Sequence, residues 1–154
     1  MGVGKTAVAQ RLKARLPNSV FLDGDWCWDA SPFQVTDETK DMVMGNICYL
    51  LNSFIHCSAY DNIIFCWVMH QQSIIDAILE RTDAAECEVK VISLIASEKT
   101  LTDRITADVR SGVREIDVLD RSIARIPLYR TLSSIKIGTD GKTADAVADE
   151  ISAL

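Results

Sequence analysis

Met1-Gly2-Val3-Gly4-Lys5-Thr6 opens the chain, and Gly4-Lys5-Thr6 decides how the rest is read. These three residues end the pattern G-x-x-x-x-G-K-[ST]. In that pattern backbone N–H groups cradle phosphates, the lysine reaches the β- and γ-phosphates, and the hydroxyl binds Mg2+. The pattern thus assigns Gly2, Gly4, Lys5, Thr6 and Ala7 to nucleotide phosphate, and Thr6 also to the metal. Its first glycine falls upstream of Met1. Val8, Leu12 and Leu16 recur at helical spacing and Pro17-Asn18 ends the run, which predicts a helix over about 5–16. The competing reading is a glycine turn ahead of an ordinary helix.

The remaining chain alternates strand and helix signals. A strand-like Ser19 to Leu22 ends in Asp23-Gly24-Asp25, and Ala30 to Val35 reads as a loop around Pro32. A helix is predicted from about Asp37 to His56, with Thr36 as N-cap and Val43, Ile47, Leu50, Leu51 and Phe54 as its buried stripe. Ile63 to Met69 is apolar without alternation, as in a strand covered on both faces, and His70 ends it. A helix over about 72–82, a strand over 89–96 and a helix capped by Ser97 and closed by Gly112 follow. Residues 113–117 read as a loop, 118–125 as a helix stopped before Pro127, 135–137 as a strand, and Thr143 caps a last helix. This order implies βαβ units: an α/β fold with a parallel sheet and helices on both faces, all in a single domain over 1–154.

Composition narrows the function classes. The 154 residues are 48% hydrophobic and 25% charged, an ordinary globular mix, and the net charge of −6 argues against a nucleic-acid partner. Cys27, Cys48, Cys57, Cys66 and Cys87 have no metal-site spacing and read as buried thiols of a reducing, cytoplasmic setting. Lys5, Arg11, Lys13 and Arg15 break any signal-peptide run, and no apolar stretch is long enough to span a membrane.

Asp23 and Asp25 stand at the carboxyl end of a strand, where open α/β sheets keep their ligands. One residue apart on an extended backbone, they are expected on opposite faces. One suits Mg2+ and the other suits the proton of an acceptor hydroxyl, against a plain solvated turn. Arg104, Arg110, Arg114, Arg121 and Arg125 can close on phosphates as a lid over about 104–125, or can form a solvated face balanced by nearby acids. Trp26, Trp28 and Phe33 read equally as an acceptor wall or as core. His70 either lines the site or is an ordinary satisfied histidine, and His56 carries no function.

With these residues the chain resembles the small P-loop kinases of the nucleoside monophosphate kinase group, shikimate kinase and other small-metabolite kinases in particular. It also has the look of kinases described as AAA-family ATPases. Gly2-Val3-Gly4-Lys5-Thr6 matches the phosphate loop and Asp23-Gly24-Asp25 the acid pair. Arg125-Ile126-Pro127-Leu128-Tyr129, Ile135-Lys136-Ile137 and Thr139-Asp140-Gly141-Lys142-Thr143 follow the group's R-x-P-x-Y, strand, T-D, helix order. The resemblance implies ATP and Mg2+ as cofactors, with Thr6 and Asp23 on the metal and Lys5, Asp25 and Arg110 catalytic. It implies Arg104, Asp140 and Gly141 at adenine and Asp25, Trp26 and Arg125 at a small-molecule acceptor. The glycine triplet at the end of the third strand and the G-E-x-x-F-R segment are absent, so shikimate is not the expected acceptor.

The expected function is ATP-dependent phosphorylation of a small-molecule hydroxyl. A nucleotide monophosphate kinase is the rival within the class. A non-catalytic ATP-binding module, or an inactive piece of a longer kinase, is the rival outside it. The group's first, central strand would precede Met1. The sequence therefore predicts four strands where the group has five, and a chain compromised as a catalyst.

Overall fold

The computed structural model describes residues 2–112 and 118–154. Helix α1 (Lys5–Arg15) leads into strand β1 (Ser19–Asp23), and helix α2 (Asp37–Ile55) into strand β2 (Asn62–Cys66). Helix α3 (Gln72–Glu80), strand β3 (Ile92–Ile95) and helix α4 (Glu98–Arg110) come next. Helices α5 (Val118–Ala124) and α6 (Ile126–Arg130), strand β4 (Ile135–Gly138) and helix α7 (Ala144–Ser152) complete the order.

The strands form two parallel pairs rather than one sheet. β1 lies against β2 in the register Ser19↔Asn62 to Asp23↔Cys66, and β3 against β4 from Ile92↔Ile135 to Ile95↔Gly138. Among the described residues no backbone ladder joins the pairs. Side chains alternate along each strand, and the two faces of β1–β2 meet different helices. Leu22, Ile63 and Phe65 pack with Val43, Ile47 and Leu51 of α2 and Ile78 of α3. Phe21 and Cys66 face the other way, with Ala9 of α1 and Ile64. Helices thus cover both faces, as the unbroken apolar run over β2 predicted.

What spans the two pairs is α1. Its Val8 and Leu12 share one cluster with Ile64 of β2, Ile92 and Leu94 of β3, Ile137 of β4, and Val147 and Ala148 of α7. Arg15 reinforces the α1–α7 contact by reaching Asp145 and Asp149, both at 2.8 Å.

Capping chemistry sets the helix starts. Thr36 accepts from the Thr39 backbone N–H while the Thr39 hydroxyl accepts from the Thr36 N–H, a reciprocal pair that opens α2. Ser97 and Thr143 cap α4 and α7 on one side only, accepting from the backbone N–H groups of Thr100 and Ala146.

Several boundaries differ from expectation. The strand read over 63–69 stops at Cys66, because its partner β1 stops at Asp23 and leaves Trp67 onward nothing to pair with. The strand read over 89–96 shortens to 92–95 for the same reason, its partner β4 having four residues. The single helix read over 118–125 is followed by a second, α6, with Pro127 in its first turn. Proline there costs no hydrogen bond, since the first turn's N–H groups have no partner within the helix. Cys48 and Cys66 are buried thiols, as read, but Cys87 is exposed.

Candidate phosphate-binding site

The loop before α1 turns on two glycines. Gly2 has φ 73° and Gly4 φ 96°, a backbone that non-glycine side chains rarely adopt. Gly2 also lies against Ile105 and Leu101 of α4, where a methyl group would collide. Gly4 is the N-cap residue of α1 and offers no side-chain oxygen, and the first turn carries no acid. The N–H groups of Lys5, Thr6 and Ala7 therefore begin the helix without a side-chain cap, and the positive end of the helix dipole stays open to a negative ligand.

Opposite this helix start stands Asp23, 6% exposed at the carboxyl end of β1. The Thr6 hydroxyl donates to Asp23 Oδ2 at 2.8 Å. The Asp25 backbone N–H donates to Oδ1 at 3.1 Å, and the Cys66 thiol donates to Oδ2 at 3.5 Å. The two acids do not lie on an extended strand with opposed side chains, as the sequence predicted. Residues 24–27 form a 3-10 turn begun by the Asp23 carboxylate itself, so Asp23 turns inward while Asp25 is exposed. Gly24 is buried against the Trp67 ring, leaving no room for a β-carbon.

Cys66 was not singled out in the sequence as part of this site. Its place follows from the register that sets it beside Asp23, which nothing local in the sequence encodes. Burial pushes its thiol up to about 12 and Asp23 adds to the rise, while Lys5 and Thr6 pull the other way. The thiol is thus a neutral donor to Asp23, and its field relation to Lys5 puts that lysine near the same corner.

The remaining predicted residues divide into three places. Arg104 donates through Nη1 to the Val3 carbonyl at 3.3 Å and to the Thr139 hydroxyl at 3.2 Å, and through Nη2 to the Thr139 carbonyl at 3.0 Å. It ties the phosphate loop to the end of β4. Asp140 accepts from the Ser97 backbone N–H through both oxygens, at 3.0 and 3.1 Å, and that bond chiefly holds its carboxyl below the usual range. Gly141 follows at φ 67°.

Arg125 stands beside His70 and Tyr129. Burial first, and Arg125 second, lower His70. Burial raises Tyr129 and Arg125 opposes it. His70 Nδ1 is buried without a hydrogen-bond partner. Arg110 is exposed at the end of α4, and Arg114 lies outside the described residues. Trp26 is exposed on the 3-10 turn, edge-on to Phe21 at 5.2 Å. His56 pairs with Asp83 on the surface, away from these groups.

The metal expected from the pattern fits the donor set. A hydroxyl and a carboxylate meet at 2.8 Å beside an open helix start, and both are hard oxygen donors. Among the described residues no three ligating side chains cluster. Mg2+ needs no such cage, since it keeps waters and takes further oxygens from phosphates.

The family model described as "AAA domain" matches residues 1–120, the phosphate loop and the acid pair included. The chain belongs to this AAA-domain family. No curated protein matches it. Solved structures share its fold. The tunicamycin resistance protein of Deinococcus radiodurans is 21% identical, with TM-score 0.72 over 99% of this chain and 88% of that one. A gluconokinase from Sinorhizobium meliloti is 18% identical, with TM-score 0.68 over 99% and 85%. A sugar kinase from Janibacter sp. HTCC2649 is 15% identical, with TM-score 0.70 over 99% and 87%. The fold of this AAA-domain chain is therefore that of these three proteins, two of them described as kinases. No helix among its described residues is long and apolar enough to cross a membrane.

Proposed function

We propose that the protein is an ATP-dependent phosphotransferase acting on a hydroxyl of a small molecule. The observation that carries this is the Thr6–Asp23 hydrogen bond at the uncapped start of α1, directly after Gly4-Lys5. In this reading the N–H groups of Lys5 to Ala7 and the Lys5 ammonium hold the nucleotide's phosphates. Thr6 and Asp23 hold Mg2+, which neutralises charge on the phosphate oxygens when bound. Arg104, Asp140 and Gly141 form the nucleotide's far wall. Arg104 and Asp140 already spend hydrogen bonds within the protein, so their contribution there is position.

Asp25, exposed beside Asp23, orients the acceptor hydroxyl and takes its proton as the oxygen–phosphorus bond forms and ADP leaves. Arg110 closes over the transferring group. Arg125, beside His70 and Tyr129, meets phosphate oxygens in this reading. Gluconokinase and sugar kinase among the structural neighbours support a hydroxyl acceptor through fold alone. Asp25→Asn tests the reading: phosphoryl transfer to a hydroxyl should fall at least ~100-fold while ATP binding persists. Undiminished transfer would favour a nucleotide monophosphate acceptor, which needs arginines and no base.

A non-catalytic nucleotide-binding module is the second reading. It is favoured by the carboxyl end of β2, where residues 66–70 contain no acid. Calorimetry with ATP and Mg2+ alongside an ADP-release assay separates the two: tight binding without product, over a broad acceptor panel, supports the module. Absence of binding would sink both.

A further inference from the structure

Just beyond the acid pair, the 3-10 turn, the loop after it and α2 form two adjoining open hollows of about 460 and 380 Å3 that share Trp26, Cys27 and Asn46. Together they have the size of a small-molecule site. Their walls are unusual in what they expose. Trp26 is 60% exposed, Met42 46% and Tyr49 73%, and nearby Phe33 is 59% exposed. Each is a side chain that ordinarily gains by leaving water.

The walls are also held in place. Phe21 supports Trp26 edge-on, Phe33 supports Trp28 at 4.7 Å, and Asn46 Nδ2 donates to the Cys27 carbonyl at 3.3 Å. Gly24, wedged against Trp67, fixes the turn from which Trp26 projects.

Charge decides what such a groove takes. Among the described residues no lysine, arginine or histidine lines either cavity, and Asp29 is the one lining carboxylate. Cys27 stays a neutral thiol, burial raising it first and Asp23 second. A phosphate or carboxylate placed here would lose water, meet no cation of the described lining and face the Asp29 carboxylate. The Gln34 amide and the Asn46 carbonyl oxygen supply neutral polar groups suited to hydroxyls.

We propose that this groove binds the phosphoryl acceptor, and that the acceptor is an uncharged small molecule carrying an apolar ring or chain beside its reactive hydroxyl. This rests on the phosphotransferase reading above, and it separates two acceptor types which that reading leaves together: anionic acceptors, such as sugar acids and nucleoside monophosphates, and neutral amphipathic ones. The apolar part lies on Trp26 and Met42, and the hydroxyl is presented toward Asp25.

Isothermal titration of the full chain, with ADP and Mg2+ present, tests it with phenyl β-D-glucoside, glucose, gluconate and uridine monophosphate. Phenyl glucoside should bind at least about tenfold tighter than each of the others, the margin expected for burying one ring. Trp26→Ala should remove that margin. Met42→Lys, at an exposed helical position where folding is not at stake, should weaken phenyl glucoside and strengthen gluconate.

Gluconate or uridine monophosphate binding as tightly as phenyl glucoside would overturn the proposal. So would no binding by any of the four, or a margin unchanged in both variants. ADP release with the same four compounds keeps the two readings apart. The binding margin with no transfer would reject the phosphotransferase and keep the groove's ligand class. Transfer to gluconate without the margin would do the reverse.

Discussion

Asp23 is approached from three directions, by the Thr6 hydroxyl, the Asp25 amide and the Cys66 thiol, and all three are donors. A buried carboxylate with such partners is positioned before any ligand arrives. Asp23→Asn keeps the shape and removes the charge. Magnesium's enhancement of ADP binding should then fall by about tenfold or more, ~1.4 kcal/mol. Calorimetry with and without Mg2+ checks this, and an unchanged enhancement would remove Asp23 from the metal site.

Cys66 gives a second outcome at this scale. With its thiol at about 12, it is almost wholly neutral at pH 8, and the thiolate is the reactive form. The sign follows from burial, which penalises the charged form. The unfolded thiol ionises near 9.0, so folding loses this contribution only as pH rises from there toward 12. Iodoacetamide at pH 8 should label exposed Cys87 and spare Cys66 in the native protein, as peptide mapping would read. Equal labelling of both would contradict the buried Asp23–Cys66 contact.

At the scale of elements, two short devices set the site's geometry. The first is the reciprocal Thr36–Thr39 cap that starts α2, the helix forming the long wall of the aromatic groove. Thr36→Ala leaves N–H groups of the first turn without that partner and should cost about 1 kcal/mol, read by urea denaturation. The second is the turn at Gly24. An added methyl at Gly24→Ala meets the Trp67 ring, and Trp67 is itself packed into the α2 cluster, so it has little room to move. Overpacking of this kind costs about 1–3 kcal/mol, and here it should also displace Trp26 and weaken acceptor binding. An Ala variant with wild-type stability would mean that the turn is looser than its packing implies.

For the whole molecule, α1 is both the helix that starts at the glycine loop and the element that joins the two strand pairs. Leu12 is a core residue, 7% exposed, in the cluster where Ile64 of β2 and Leu94 of β3 meet the same helix. Leu12→Ala should cost about 2–5 kcal/mol, and unfolding should remain a single transition if the pairs depend on one another through α1. Two separate transitions in a thermal scan would show that each pair stands on its own helices. The Arg15 contacts with Asp145 and Asp149 lie at the same junction but are exposed, so Arg15→Ala should change stability by less than ~1 kcal/mol.

What the sequence by itself determined is what is local in the chain. Gly4-Lys5-Thr6 before a helical period, the capping residues Thr36, Ser97 and Thr143, and the two-faced apolar run at 63–69 are each legible within a few residues, because helix caps and side-chain periodicity are short-range physics. The pairing of Asp23 with Thr6 was within reach, since acids at a strand's end lie where α/β ligands sit. The inward turn of Asp23 against the exposure of Asp25 was not.

Only the tertiary structure decided that turn, the register that places Cys66 beside Asp23, the tie of Arg104 to Thr139 across 35 positions, and the division of four strands into two pairs held together by α1. Strand register and long-range hydrogen bonds depend on which surfaces meet once the chain is compact. The physical reason is that a strand's own pattern specifies a face to bury but not the neighbour that buries it.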